Sequence, residues 1–202
     1  MIENMGIISL VLGSSLTAGI NLYLTAAILG VAHRLEWLNL PSGLEILAHP
    51  LIIGAAIVLY IIEFVADKVP YVDSTWDALH TFIRPAGGFV LGYMALNGVS
   101  EPAQMAVGLL MGTVALETHV AKATTRAAIN TSPEPVTNVA ASVTEDAVVV
   151  GIMFLVIQHP VIAFFVSIAI IVIAGIVIKV LFRFVKKIFS RSKPEEEEFD
   201  DE

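Results

Sequence analysis

The chain has 202 residues, of which 56% are hydrophobic and only 15% are charged, whereas soluble domains carry roughly 25% charged residues. This composition excludes an ordinary soluble domain and indicates an integral membrane protein. The net charge of −8 owes much to the C-terminal EEEEFDDE and gives no support to a nucleic-acid partner, and the absence of cysteine excludes disulfides and thiol chemistry.

Apolar segments recur along the chain and predict an all-α, polytopic membrane helix bundle with about six transmembrane helices, because a span needs about 20 mostly apolar residues. A single membrane domain is expected over residues 1–190, followed by an acidic, disordered tail at 191–202. The six spans are predicted at residues 5–32, 50–66, 85–97, 103–121, 133–157 and 160–178.

The first predicted span contains small and polar residues and is expected to be either tilted or broken near TAGIN, residues 17–21. Asn21 is the last residue of this motif and Tyr23 follows it closely, and both are secondary site candidates. Two interpretations are open. The small residues could form a plain packing face, or the helix could be discontinuous, with exposed backbone that helps to bind a ligand.

The second predicted span ends in YIIEFVADK, which places Tyr60, Glu63 and Asp67 on one helical face. A carboxylate inside a membrane costs about 3 kcal/mol or more at the centre and less near the edge. Glu63 therefore either pairs with Lys68 or Arg84 to fix the helix packing, or couples to a proton or a cation.

The next segment, VDSTWDALHTFIR, predicts an amphipathic connector helix on the cytoplasmic side, after a break at Pro70 and with a capping box at Ser74 and Asp77. Its polar residues recur at steps of four, three and four and form one stripe: Asp73, Asp77, His80 and Arg84. No third metal ligand stands at a fixed spacing from Asp77 and His80, so we predict no metal site.

The fourth predicted helix ends in ETHVAKATTRAAIN, where Lys122 and Arg126 share a face with His119, and Glu117 lies to the side. Glu117, Lys122 and Arg126 are site candidates. The two cations could pair with the acidic stripe, or they could form an anion or phosphate-headgroup site together with a helix N-terminus near Ser132.

The fifth predicted helix, with an N-cap at Ser132, carries Asn138, Glu145 and Asp146, the strongest intramembrane functional candidates in the chain. If this helix begins at residue 133, Glu145 lies about 18 Å along its axis, well inside a bilayer. A structural role, in which these side chains accept hydrogen bonds from Arg84 or Arg126, is the alternative.

Basic residues predict the orientation, because six of the eleven Lys and Arg lie in the C-terminal KVLFRFVKKIFSRSK and such residues favour the cytoplasmic side. Six spans then place both termini in the cytoplasm, together with residues 67–84 and 122–138.

TAGIN resembles RAAIN at residues 126–130, and the pair His49-Pro50 resembles His159-Pro160. These echoes predict a weak internal repeat.

Three segments of the chain resemble the integral membrane family known as domain of unknown function 4126. They are AGINLYLT, EFVADKVPYVDSTWDALHTFIRP and KATTRAAINTSPEPVTNVAASVTED. The resemblance covers nearly the whole chain except the acidic tail. It implies a small multi-pass protein of the bacterial cytoplasmic (inner) membrane, and it brings no established activity or catalytic residues.

These observations predict a cation- or proton-linked transporter or channel for a small solute or a lipid headgroup. The alternative is a structural or assembly membrane protein whose intramembrane charges only pair with each other. The sequence contains no Ser-His or HExxH-like spacing that would indicate an enzyme, and no cofactor is expected. The expected partners are the lipid bilayer, a small solute, an ion or an anionic lipid headgroup, and a second copy of the chain.

Overall fold

The computed structural model describes residues 2–130 and 135–191, and this part of the chain is α-helical without any strand. The all-α prediction is confirmed. A 3₁₀ helix, Ser42–Ala48, precedes the second α-helix. The α-helices are α1 (Ile2–Arg34), α2 (Pro50–Ala66), α3 (Pro70–Ala95), α4 (Glu101–Asn130), α5 (Pro135–Gln158) and α6 (Pro160–Arg191).

Three helical segments in the described residues are long and apolar enough to cross a membrane: Met5–Arg34, Val136–Gln158 and Pro160–Arg183. A fourth arises if the 3₁₀ helix and α2, bent by 66°, count as one span. By length and composition, the described residues therefore contain fewer candidate spans than the six predicted. Although α3 and α4 are long, both carry charged side chains among their apolar residues, and this lowers their hydropathy.

The outward faces of the helices are strongly apolar, which indicates a membrane location. Leu51 on α2, Phe82 on α3 and Phe165 on α6 expose 75%, 80% and 63% of their surface. Soluble monomers rarely expose large continuous apolar patches. Lipid acyl chains are the natural contact for such a surface.

The third helix is continuous from Pro70 to Ala95, so the prediction of a connector helix followed by a separate span from Pro85 is wrong. The predicted capping box at Ser74 is also wrong, because Val69 is the N-cap and Pro70 occupies the first turn, where proline is well tolerated. Pro85 is accommodated inside a helix that packs closely on α4. At Gly88, a Cβ would lie 2.5 Å from the Cβ of Ala115.

The first helix is broken at Asn21, which is one of the two forms predicted from the sequence. Asn21 has an extended backbone (φ −149°, ψ 98°) inside α1, and its Oδ1 accepts a hydrogen bond from the Leu24 N–H at 2.9 Å. A side-chain oxygen that accepts from the N–H three residues later is the geometry of a helix N-cap. Asn21 thus ends the first half of α1 and caps the second half.

The two halves of α1 run in opposite directions along the bundle. In the first half, Gly13 lies beside Val156 and Asn21 contacts Asp146, so this half is antiparallel to α5. In the second half, Gly30 lies beside Ile53 of α2.

The direction of α2 fixes the direction of the second half of α1. Tyr60 of α2 contacts Asp146, and Lys68 just after α2 contacts Ser142, so α2 is antiparallel to α5. Since Tyr60 and Asn21 share Asp146 while Ile53 lies beside Gly30, the second half of α1 is antiparallel to α2. The first half is thus antiparallel to α5 and the second half is parallel to it, which makes α1 a helical hairpin.

Both ends of this hairpin lie at the same end of the bundle. Near the N-terminus, Ser9 Oγ donates to the Pro160 carbonyl at 2.5 Å. At the start of the 3₁₀ helix, Ser42 Oγ accepts from Asn97 Nδ2 at 3.2 Å. The predicted orientation places the N-terminus and the turn before Pro160 on opposite membrane faces, whereas the structure places Ser9 beside Pro160 at one end of the bundle. The reason is that the prediction treats α1 as one crossing.

The predicted helix boundaries at the two His-Pro pairs and at the end of α4 agree with the structure. Both His-Pro pairs begin helices, since α2 starts at Pro50 and α6 at Pro160, although the internal repeat itself stays a prediction. The expected cap at Ser132 lies outside the described residues, as does the acidic tail from residue 192. The fourth helix extends to Asn130, as its polar stripe predicts.

Candidate functional site: a buried ion-pair network

The polar stripe of α3 faces the interior of the bundle. Asp73, Asp77 and Arg84 are buried, whereas Leu79 and Phe82 on the opposite face of the helix are exposed. The stripe meets α1, α2 and α4 at the α1 tip, which we define as residues 19–21. We call the charged side chains that meet there the ion-pair network: Glu63, Asp67, Asp73, Asp77, Arg84, Lys122, Arg126 and Glu145.

Arg84 joins α3 to α2 and α4. Its Nη2 donates to Glu63 Oε1 at 2.6 Å, and its Nη1 lies 3.5 Å from Asp77 Oδ1. The same Nη1 lies 2.8 Å from His119 Nδ1. Of the two candidate partners for Glu63, the structure shows Arg84 and not Lys68.

Lys122 occupies the centre of the network. Its Nζ lies 3.2 Å from Asp67 Oδ2, 3.4 Å from Glu145 Oε2 and 3.6 Å from Glu63 Oε1. It also donates to the Ile20 carbonyl at 3.2 Å. One ammonium therefore links carboxylates from α2 and α5 to the α1 tip.

Arg126 closes the network on the side of α5. Its Nε lies 3.0 Å from Glu145 Oε1, and its Nη2 lies 3.3 Å from Asp67 Oδ2. Asp73 is more distant, at 3.8 Å, and the Asn138 carbonyl accepts from Nη1 at 3.1 Å. The acidic and basic stripes predicted from the sequence therefore contact each other.

The break in α1 supplies backbone acceptors to these cations. A helix end leaves its last carbonyls without intrahelical partners. Here the Gly19 carbonyl accepts from Arg84 Nη1 at 3.2 Å, in addition to the bond between Ile20 and Lys122. Gly19 is required by close approach, because a Cβ there would overlap the Thr118 hydroxyl and the Ala115 carbonyl.

Asp146 forms a separate polar group beside the network. Its Oδ1 accepts from Asn21 Nδ2 at 3.1 Å, and its Oδ2 accepts from the Tyr60 hydroxyl at 3.0 Å. Lys68 lies nearby, with Nζ 3.4 Å from Ser142 Oγ and 2.9 Å from the centroid of its neighbouring Phe64 ring. Asp146 thus holds the α1 break against α2 and α5.

His80 and Tyr23 contact each other at the edge of the site. His80 Nε2 lies 3.1 Å from the Tyr23 hydroxyl, and His80 Nδ1 lies 2.8 Å from the Trp76 carbonyl. The Trp76 ring stacks on the imidazole with centroids 4.7 Å apart. These contacts use both ring nitrogens of His80 and connect it to α1 and to its own helix.

The network contains more negative than positive groups. In the described residues, five carboxylates meet three cations, an excess of two negative charges if all are ionised. Asp146 and Lys68 beside it balance each other. Several buried carboxylate oxygens have no hydrogen-bond partner: Glu63 Oε2, Asp67 Oδ1, Asp73 Oδ1 and both oxygens of Asp77.

Two openings reach the network from different sides. A pocket of about 220 Å³ between α3 and α4 is lined by Asp77 and Arg126, with Thr81 at its wall. A second opening of about 250 Å³ lies between α4, α5 and α6 and ends at Lys122 and Glu145. We call these the α3–α4 pocket and the α4–α6 groove.

One predicted site residue lies apart from this centre, and one central residue is not among the predicted ones. Glu117 is outside the network and faces α6, where its Oε1 would lie 2.9 Å from a Cβ on Gly175. His119 contacts Arg84 and also the Asp77 carbonyl at 3.1 Å. The spacing of His119 to Lys122 and Arg126 on one helical face was the signal that favours it over Glu117.

The described residues contain no group of three or more His, Asp or Glu side chains arranged to hold a metal ion. The same side chains bring the carboxylates of Glu63, Asp67 and Glu145 within 4 Å of one ammonium, that of Lys122. The remaining candidate, Asn138, is buried with its Nδ2 without a partner.

Comparison with known proteins places the chain in a family. No curated protein and no solved structure matches it. One family model, described as Domain of unknown function (DUF4126), matches residues 8–180. This range holds α2 to α5 entirely, most of α1, and every member of the ion-pair network. The chain therefore belongs to the DUF4126 family.

Proposed function

We propose that this protein is a cation- or proton-linked transporter or channel for a small solute or a lipid headgroup. The observation that carries the proposal is the excess of buried negative charge in the ion-pair network. A buried carboxylate without full compensation is costly, and in a membrane protein it is a functional-site candidate by default. Uptake of a proton or a small cation removes this cost.

The two openings support a route through the network. The α3–α4 pocket reaches Asp77 and Arg126, and the α4–α6 groove reaches Lys122 and Glu145. Arg126 bridges the two sides, because it lines the α3–α4 pocket and contacts Glu145 at the floor of the α4–α6 groove. Broken helices whose exposed backbone groups face a site are a feature of transporters, and the α1 tip has this form.

The orientation is also part of the proposal. The basic C-terminal segment favours the cytoplasmic side of a bacterial inner membrane. We propose that α2 to α6 each cross the membrane and that α1 enters and leaves from the outer side. The contacts of Ser9 with Pro160 and of Ser42 with Asn97 support this arrangement. It leaves the C-terminus in the cytoplasm and moves the N-terminus to the outer side.

The second candidate is a structural or assembly protein of the membrane. The observation that favours it is that each of the three cations in the network contacts at least two carboxylates. In that case the network only fixes the packing of α1 to α5. It predicts a stable protein that carries no flux.

The test is proton flux in liposomes that contain the purified protein and a pH-sensitive dye. A pH gradient should relax faster than in empty liposomes, and Glu63→Gln should slow this relaxation by about tenfold or more, a change of about 1.4 kcal/mol in barrier. Glu117→Gln is the matched control, since Glu117 lies outside the network. A stable wild-type protein without flux under a proton, sodium or potassium gradient would leave the structural role as the function.

A further inference from the structure

The α4–α6 groove combines an apolar wall with one charged end. Val148 of α5 and Ile173 of α6 line its sides, and Lys122 and Glu145 form its floor. Both apolar residues are partly exposed, so the groove opens toward the lipid. Its volume of about 250 Å³ is below the roughly 300–1,000 Å³ of pockets for drug-sized molecules, which suits a small amphipathic molecule.

The accessible charge in the groove is negative. The Lys122 side chain is only 3% exposed and its ammonium points into the network, toward Asp67 and the Ile20 carbonyl. The Glu145 side chain is 18% exposed and is the most accessible carboxylate of the network. Its oxygens already lie 3.0 Å from Arg126 Nε and 3.4 Å from Lys122 Nζ, but each carboxylate oxygen can accept a further hydrogen bond. With all its acids ionised, the network carries two more negative than positive charges, so the floor favours a cation over an anion.

The neutral polar groups of the groove are hydrogen-bond acceptors. The hydroxyls of Thr118, Thr125 and Thr144 donate to backbone carbonyls one turn earlier, at 3.1, 2.8 and 2.7 Å. A hydroxyl has one hydrogen to donate, and its oxygen can still accept. The groove therefore offers oxygens to a ligand that brings its own N–H groups.

We propose that the α4–α6 groove binds an organic ammonium ion, with the N–H groups at Glu145 and the threonine oxygens and an apolar body between α5 and α6. This deepens the proposed function, because it assigns the chemical class of the solute. Binding itself does not require transport. The charge of the floor and the acceptors on the wall distinguish this ligand from a lipid acyl chain, which needs neither.

The test compares two probes of similar size and opposite charge, 2-phenylethylammonium and 3-phenylpropanoate. Isothermal titration calorimetry on the purified full-length protein in a neutral detergent measures both affinities. The ammonium should bind at least about tenfold more tightly than the carboxylate, a difference of about 1.4 kcal/mol. Equal affinities, or tighter binding of the carboxylate, would overturn the assignment and leave an apolar groove for lipid only.

Variants locate the binding site. Ala121→Leu should fill the groove without touching a charge and weaken ammonium binding about tenfold, and Glu145→Gln should weaken it further. Ala147→Leu is the matched control, because Ala147 is exposed on α5 and does not line the groove. If Glu145→Gln fails to fold, Ala121→Leu still decides the question. Unchanged binding in Ala121→Leu would place the ligand elsewhere and refute the proposal.

The binding measurement and the flux measurement fail independently. Ammonium binding without any flux would remove the proposed transport function and leave the binding site. Proton flux without ammonium binding would remove the binding site and leave a proton channel. A liposome experiment with a gradient of 2-phenylethylammonium then tests whether the bound ion is also carried.

Discussion

At the scale of single residues, Glu63 illustrates how the network is balanced. One carboxylate oxygen contacts both Arg84 and Lys122, whereas the other is buried without a hydrogen-bond partner. Asp77 is less compensated, since its nearest cation lies 3.5 Å away. The network therefore has more carboxylates than its cations neutralise. The effect of a substitution on stability should depend on whether it removes a positive or a negative charge.

Removal of a cation should destabilise the protein far more than removal of a carboxylate. We expect Arg84→Gln to lower the free energy of unfolding by about 3–5 kcal/mol, because it leaves Glu63 buried and unpaired. Asp77→Asn should be neutral or stabilising, because it removes part of the charge excess. Thermal denaturation of the two purified variants in the same detergent checks this.

An equal loss for both substitutions would show that the charges in the network are balanced. Glu117→Gln serves again as the control, since it changes an acidic residue of α4 without reaching the network.

Most residues of the site could be predicted from helical spacing. The residues at the steps between Asp73 and Arg84 form a buried stripe, and Asn138 and Glu145 both contact Arg126. Spacing also favours His119 over Glu117. The partner of each charge could not be predicted from the sequence. Several carboxylates lie on the same side of the bundle, and only the packing of the helices selects which of them pairs with a given cation.

At the scale of elements, the break in α1 joins the fold to the site. It frees the carbonyls of Gly19 and Ile20 for Arg84 and Lys122, and Asn21 caps the returning half. The sequence indicated the position of the break, through TAGIN, because glycine and asparagine are poor helix formers. It could not indicate that the chain reverses there, since that follows from contacts with α2 and α5.

A side chain at Gly19 should separate α1 from α4. Gly19→Ala is expected to cost more than 1 kcal/mol in the free energy of unfolding, because the new Cβ overlaps a backbone carbonyl and forces a shift. Gly54→Ala is the matched control. No atom lies within 4 Å of a Cβ at Gly54, so there the better helix propensity of alanine should be neutral or slightly stabilising.

The measurement is again thermal denaturation, accompanied by proton flux. If Gly19→Ala proves as stable and active as Gly54→Ala, the close approach of the α1 tip to α4 is not required.

The continuity of α3 shows the limit of local signals. Pro85 predicts a helix start, because proline removes a backbone donor and disfavours helix interiors. The structure keeps the helix intact across it, and Gly88 and Gly92 hold this segment against Met111 of α4. Tertiary packing of small residues overrides the local preference, and it involves residues far apart in the sequence.

At the scale of the whole molecule, the hairpin changes the expected topology. The sequence predicted a membrane helix bundle, and the apolar faces of the helices agree with it. It overestimated the apolar spans, because the amphipathic α3 and α4 do not reach the hydropathy of a span. A count of crossings from basic residues treats α1 as one crossing and cannot detect a chain reversal at Asn21.

The chain offers a direct test of this topology because it has no cysteine of its own. Single variants Gly6→Cys, Glu36→Cys and Ser100→Cys should all react with a membrane-impermeant thiol reagent added outside intact cells. In the six-span arrangement with both termini inside, Gly6→Cys would react only after lysis. That outcome would contradict a hairpin that returns to the outer side.

The central claim is that the buried network carries more negative charge than its cations neutralise and that a proton or small cation takes up the excess. Infrared spectroscopy of the reconstituted protein at neutral pH tests it directly. In buffer without alkali ions we predict the absorption of a protonated carboxyl group, which is reduced in Asp77→Asn or on addition of sodium or potassium. A spectrum with only ionised carboxylates under all these conditions would contradict the account.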